Sequence, residues 1–237
     1  SSVFNFGVCR YSSNHRLTIF STANGLSVNK VKCIAEDREG NILLGTLGEG
    51  MEVFSSEKFI SFSKKDGLPD KQVWAICKDL SGRMWFGTNE GICIYDPTLK
   101  GIAAFKTLNM SNGLPSNNVR SLAADKQGNV WIGTWGGKVA CFDTRQGRLV
   151  PTPALSDIVH PFVSCLMIDK RNELWVGTLE GIVRYNPATN GIKTMRTIDG
   201  LSDNDISALY EDSKGRVWIG SKQKGVTLYD GKNYTII

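Results

Sequence analysis

A repeat that holds register over five units constrains this chain more than any other feature. One segment of each unit reads NILLGT (residues 41–46), RMWFGT (83–88), NVWIGT (129–134), ELWVGT (173–178) or RVWIGS (216–221). The glycines Gly45, Gly87, Gly133, Gly177 and Gly220 lie 42, 46, 44 and 43 residues apart. A turn aspartate precedes each: Asp37, Asp79, Asp125, Asp169 and Asp212, at the same four steps. Two landmarks in one register mark copies of one structural unit.

Each unit divides into four short segments rich in β-branched and aromatic residues. In the last they are DISALY (205–210), RVWIGS (216–221), GVTLY (225–229) and NYTII (233–237). No gap between them holds a crossover helix, which excludes parallel βαβ units and leaves antiparallel meanders. Four strands in about 44 residues predict the blade of a β-propeller. The first hairpins read DREGN, DLSGR, DKQGN, DKRNE and DSKGR. In each, the aspartate accepts backbone N–H groups and glycine supplies a left-handed turn position, with Asn172 replacing glycine once. A calcium loop would need oxygen ligands at more positions than these turns offer. Four residues before the aspartates stand Cys33, Ala75, Ser121, Cys165 and Ala208, all small, as strands converging on an axis require. Trp85, Trp131, Trp175 and Trp218 repeat too strictly for one binding site and are expected to pack between sheets.

The fold expected is all-β, with residues 1–237 forming one propeller region. Residues 1–22 supply the last two strands of a partial blade, GVCRY and RLTIF, and residues 23–237 five complete blades. At 237 residues the chain falls short of a seven-bladed ring, so it is expected to be part of a larger propeller. It begins Ser1-Ser2 and reads as a processed protein or an excised fragment.

The residues argue against several functions. The net charge of +5 arises from 28 basic and 23 acidic residues, interspersed and without a nucleic-acid motif. No apolar run reaches membrane-spanning length, so the segment requires no membrane contact. The six cysteines lie in apolar segments without metal-site spacing and are expected to be free and buried. Only His15 and His160 are histidines, too few for a three-histidine metal site. No nucleophile elbow or phosphate loop is present. The chain is therefore read as non-enzymatic, with no cofactor and no metal.

What varies between blades points to recognition. Just before the small inner-strand residue, the units carry Lys32, Trp74, Arg120, Ser164 and Ser207. The turns between second and third strands add Trp135 and Lys222, and an irregular connection adds His160. Propeller topology brings inner-strand entrances and these turns to one face. Trp74, Arg120 and Trp135, with Lys32, His160 and Lys222, are the candidates for contact with a ligand or partner. Aromatic platforms beside planar donors suit a saccharide.

The segments DGLSDNDISALYEDSKGRVWIGSKQKGV (199–226), DGLPDKQVWAICKDLSGRMWFGTNEGI (66–92) and NGLPSNNVRSLAADKQGNVWIGT (112–134) resemble the two-component regulator propeller repeat. NGLSVNKVKCIAEDREGNILLGT (24–46) matches but has Leu43 in place of Trp. The fourth unit, ALSDIVHPFVSCLMIDKRNELWVGT (154–178), departs most, with Ala154 where the others have glycine. The resemblance implies an extracytoplasmic, periplasmic sensor region of the kind found in gut Bacteroides-like bacteria that respond to glycans. Further propeller and histidine kinase modules accompany such regions in full-length proteins. An oligosaccharide ligand is then expected. The alternatives are an interaction scaffold that forms a homodimer without a small ligand, and an enzyme resembling the streptogramin-inactivating propeller lyases.

Overall fold

Short β-rich runs between Asp-Gly turns become strands, joined by short 3-10 turns and one helical turn. The structure, a computed structural model, describes residues 2–3, 7–157 and 159–237. Its strands make six antiparallel sheets. The first contains β1 (Ser2–Val3), β2 (Gly7–Tyr11) and β3 (Leu17–Phe20). The second contains β4 (Val31–Glu36), β5 (Ile42–Thr46), β6 (Met51–Ser55) and β7 (Lys58–Phe62); the third, β8 (Val73–Lys78), β9 (Met84–Thr88), β10 (Gly91–Tyr95) and β11 (Phe105–Leu108). The fourth runs through β12 (Val119–Ala124), β13 (Asn129–Thr134), β14 (Val139–Asp143) and β15 (Arg148–Val150). The fifth has β16 (Val163–Ile168), β17 (Leu174–Thr178), β18 (Gly181–Asn186) and β19 (Gly191–Met195). The sixth has β20 (Ile206–Glu211), β21 (Val217–Ser221), β22 (Val226–Tyr229) and β23 (Tyr234–Ile236). Each four-stranded sheet is a simple meander, the blade of an incomplete β-propeller. The first sheet has a third strand, Ser2–Val3, beyond the two read from the sequence. Two residues carry no period by which to find it.

The chain divides into two compact units, residues 1–112 with 117–119, and residues 113–116 with 120–237. In the first unit, Leu43, Met51, Val73, Met84 and Phe86 form a core between the second and third sheets. In the second unit, Trp131, Leu155, Val163, Leu174 and Tyr185 fill the space between the fourth and fifth sheets, and Trp175, Ile206, Val217 and Tyr229 that between the fifth and sixth.

The hairpin aspartate does two jobs. Asp125 Oδ1 accepts the N–H groups of Gln127 and Asn129 at 2.9 and 2.8 Å, closing the turn. Its Oδ2 accepts the Trp131 indole N–H at 2.9 Å. Asp79 and Trp85, Asp169 and Trp175, and Asp212 and Trp218 repeat the bond at 2.9, 2.9 and 3.1 Å. Where Leu43 replaces tryptophan the indole bond is lost, and Asp37 Oδ2 keeps the side-chain bond from Asn41 at 2.8 Å that Asn129 also makes to Asp125. Asn172 takes the turn position expected of glycine, at φ 65°.

The repeated Gly-Thr pair also has a packing cause. A Cβ on Gly133 would lie 2.7 Å from Val163 of the next sheet, and one on Gly177 2.8 Å from Ile206. The following threonines Thr46, Thr88, Thr134 and Thr178 donate to the carbonyls that close the second hairpin, at 2.8–2.9 Å.

Connections between sheets share another device. The N–H groups of Ser21, Ser63, Asn109 and Arg196 donate to the side chains of Asn24, Asp66, Asn112 and Asp199, three residues on. A glycine and a buried leucine follow: Leu26, Leu68, Leu114 and Leu201. The connection into the fifth sheet differs. It forms a helical turn, α1 (Pro153–Ser156), and buries Leu155 and Val159.

Candidate functional site

The candidate residues fall into local groups. In the first unit, Trp74 is half-buried on β8, and its indole N–H donates to Asn89 Oδ1 at 2.9 Å. Asn89 donates in turn to Asp70 and Gln72 at 3.0 and 2.7 Å. The Lys32 ammonium lies 6.0 Å from the Trp74 ring centroid. Trp74 is thus a ring held in one orientation, with a cation near it.

In the second unit, Trp135 stands in the turn after β13 and is half-buried rather than open. It bridges Phe162 through the backbone, and their rings lie 4.8 Å apart. The Arg120 guanidinium lies 6.0 Å from the Trp135 centroid. Burial holds that guanidinium below its usual pKa. His160 packs 5.5 Å from Phe162, and its Nδ1 accepts the Phe162 N–H at 3.2 Å. Its Nε2 lies 3.8 Å from Glu180, which also faces Arg196 at 3.7 Å. The group therefore presents two aromatic rings in tilted contact, 41° between their planes, bordered by two guanidinium groups, an imidazole and a carboxylate. Phe162 is the member that sequence reading passed over. It follows Pro161 in the irregular connection, where no repeat register draws notice to it. Lys222 lies apart from this group in its bonding: it pairs with Asp205 at 3.9 Å, and its N–H bonds the Asp205 carbonyl at 3.0 Å.

A cleft of about 580 Å³ lies in the first unit. Phe20, Phe54 and Phe59 line it with centroids 4.8–5.5 Å apart. Arg10 lies 5.4 Å from the Phe20 centroid and pairs with Glu57 at 2.8 Å. Sequence reading missed this cleft. The signal was Arg10, which stands on β2 at the register that Val53 on β6 and Ile94 on β10 hold in the next two sheets.

Among the described residues, no cluster of three or more His, Cys, Asp or Glu is placed to hold a metal ion. The six cysteines are free thiols. Burial pushes Cys33, Cys93, Cys141 and Cys165 up to about 12. Burial, then the charge of Asp79, raises Cys77 further. These are poor nucleophiles at neutral pH. Among the described residues, no helix is long and apolar enough to cross a membrane.

Solved structures share the fold. The extracellular domain assigned to a hybrid two component system of B. thetaiotaomicron, BT3049, superposes with a TM-score of 0.83 at 24% identity. The match covers 99% of this chain and 32% of that one. PorZ, a surface component of the type-IX secretion system of Porphyromonas gingivalis, gives 0.73 at 18% identity, covering 97% and 36%. Virginiamycin B lyase from Staphylococcus aureus gives 0.65 at 14%, covering 88% and 69%. The chain spans about a third of the length of the first two. No curated protein sequence matches it. A family model described as "Two component regulator propeller" matches residues 25–48, 67–90, 113–136, 157–180 and 200–223. These matches fall on the five turn-and-tryptophan units and together cover half of the sequence, so the chain belongs to the two component regulator propeller family.

Proposed function

We propose that this chain is a non-catalytic sensor module of a bacterial two-component regulator, working on the extracytoplasmic, periplasmic side of the membrane. The observation that carries this reading is the family match in five registered copies. In this reading the module recognises a saccharide or a docking partner, and kinase and further propeller modules belong to the same longer protein. The recognition surface proposed is the tilted Trp135–Phe162 ring pair with Arg120 and His160. An exposed aromatic ring face takes the apolar face of a sugar, and a planar guanidinium bonds its hydroxyl or carboxylate oxygens. His160 serves here as a packed neighbour of Phe162, not as a catalytic base.

Calorimetric titration and glycan-array binding test the reading. A bound saccharide whose affinity falls at least about tenfold on Trp135→Ala, and similarly on Arg120→Ala, supports it. Unchanged affinity in both folded variants would place the site elsewhere, with the Phe20–Phe54–Phe59 cleft next to test. An interaction scaffold is the second reading. It is favoured by exposed apolar side chains within the connections, Ile102, Met110 and Ile198.

A further inference from the structure

The inner strands β4, β8, β16 and β20 each carry one residue more than the strand they pair with. On β4, Val31 opposes Thr46 and Cys33 opposes Gly45, so Lys32 is the extra residue of a β-bulge. The same shift leaves Trp74 on β8, Ser164 on β16 and Ser207 on β20 outside the ladder. A bulge re-aims the side chain of its extra residue and frees it from pairing.

Serine turns that freedom back on the backbone. Ser164 Oγ donates to the Gly177 carbonyl at 3.0 Å and also reaches the Ile206 carbonyl of the next sheet. Ser207 Oγ donates to the Gly220 carbonyl at 3.1 Å. In the first unit the same position holds Lys32 and Trp74 in successive sheets, with the ammonium 6.0 Å from the ring centroid.

The polar groups around this pair are unevenly spent. Asn89 Oδ1 accepts the Trp74 indole N–H, and the Asn89 amide donates to Asp70 Oδ2 and Gln72 Oε1. The other oxygen of Asp70 accepts the Lys71 N–H at 2.7 Å. Each acceptor in the network therefore already holds a donor. What is left is donors: the amide N–H groups of Gln72 and the ammonium of Lys32, which is exposed and pairs with no carboxylate among the described residues.

We infer that Lys32 and Trp74 form a site for an acidic saccharide, a ring that lays its apolar face on the indole and pairs its carboxylate with the Lys32 ammonium. The inference rests on the saccharide reading above for the kind of ligand, and adds to it a charge and a second site that uses neither Trp135 nor Phe162.

Calorimetry on the 237-residue chain tests this with oligogalacturonate and its methyl ester, which keeps the rings and removes the charge. The variants are Lys32→Gln and Trp74→Ser. Serine is what β16 and β20 hold at this register, and circular dichroism checks that the strands persist. The wild type should bind the acid at least about tenfold more tightly than the ester. Lys32→Gln should erase that preference by weakening the acid alone, and Trp74→Ser should weaken the acid at least about tenfold. Equal binding of acid and ester, no binding of either, or a Lys32→Gln variant that still prefers the acid overturns the proposal. Trp135→Ala separates it from the reading above. If that variant loses saccharides while Lys32→Gln changes nothing, the Trp135 surface stands and this site falls. If Lys32→Gln removes the preference for the acid, this site stands whatever Trp135→Ala does.

Discussion

The aspartate–tryptophan bond sets the chemistry of single residues. Trp131 is buried at 3% exposure and Asp125 at 2%, so losing the indole N–H strips a buried carboxylate of a donor. Trp131→Phe is expected to cost about 1–3 kcal/mol. Trp131→Ala adds a cavity and should cost about 3–5 kcal/mol. Urea unfolding would measure both, and a Trp131→Phe variant as stable as the wild type would show that the bond contributes nothing beyond packing. Acid behaviour follows from the same carboxylates. Around Asp212, burial opposes ionisation, but bonds from the Arg216 N–H, the Trp218 indole and the Arg216 guanidinium outweigh it and hold the carboxyl well below its usual range. A lowered folded-state value stabilises above the unfolded value and loses that contribution as pH falls. The urea midpoint should therefore decline below about pH 4, and Asp212→Asn should make that decline shallower. An unchanged slope would remove Asp212 from the account. The turn aspartates were legible from spacing alone, but their second bond was not read. The signal was present, since each tryptophan follows its aspartate by six residues.

At the scale of strands and hairpins, the Gly-Thr pair gives a sharper test. Gly133→Ala drives a methyl against Val163 and should cost about 1–3 kcal/mol. Gly220→Ala meets Ala208 at 3.3 Å and Ser207 at 3.6 Å, both in its own sheet, and should change the urea midpoint far less. Equal effects would show that the close approach of the next sheet is not what selects glycine. Glu52 on β6 makes a second case. It is fully buried, its Oε1 accepts the Ser27 N–H at 2.9 Å, and its Oε2 has no partner among the described residues. In the sixth sheet Thr227 does the corresponding work, accepting the Ser202 N–H at 2.9 Å. Glu52→Thr should therefore hold or raise stability, whereas Glu52→Leu should lose about 1–3 kcal/mol by orphaning that N–H. Strand order and hairpins were readable because they depend on period and turn chemistry. Trp135 was harder to place: its packing on Phe162 depends on a residue 27 positions away in a connection without a repeat.

For the molecule as a whole, the thiols report how well the sheets stay closed. Cys33, Cys77, Cys93, Cys141 and Cys165 are all raised by burial. Native protein at about pH 8 should alkylate slowly at these five, while protein in denaturant should label at all six cysteines. Rapid native labelling, read by intact mass, would mean that the sheets open frequently. The connections carry a different lesson for the whole chain. Four of them run ten residues, 21–30, 63–72, 109–118 and 196–205, while the one holding α1 runs twelve, 151–162. Both lengths bury a leucine, and the longer one also buries Val159 and brings His160 and Phe162 beside Trp135. The framework thus asks a connection for one apolar anchor and leaves its remaining length open. Connections of this kind can be lengthened, exchanged or grafted between blades, so that new surface chemistry is acquired without redesigning a strand.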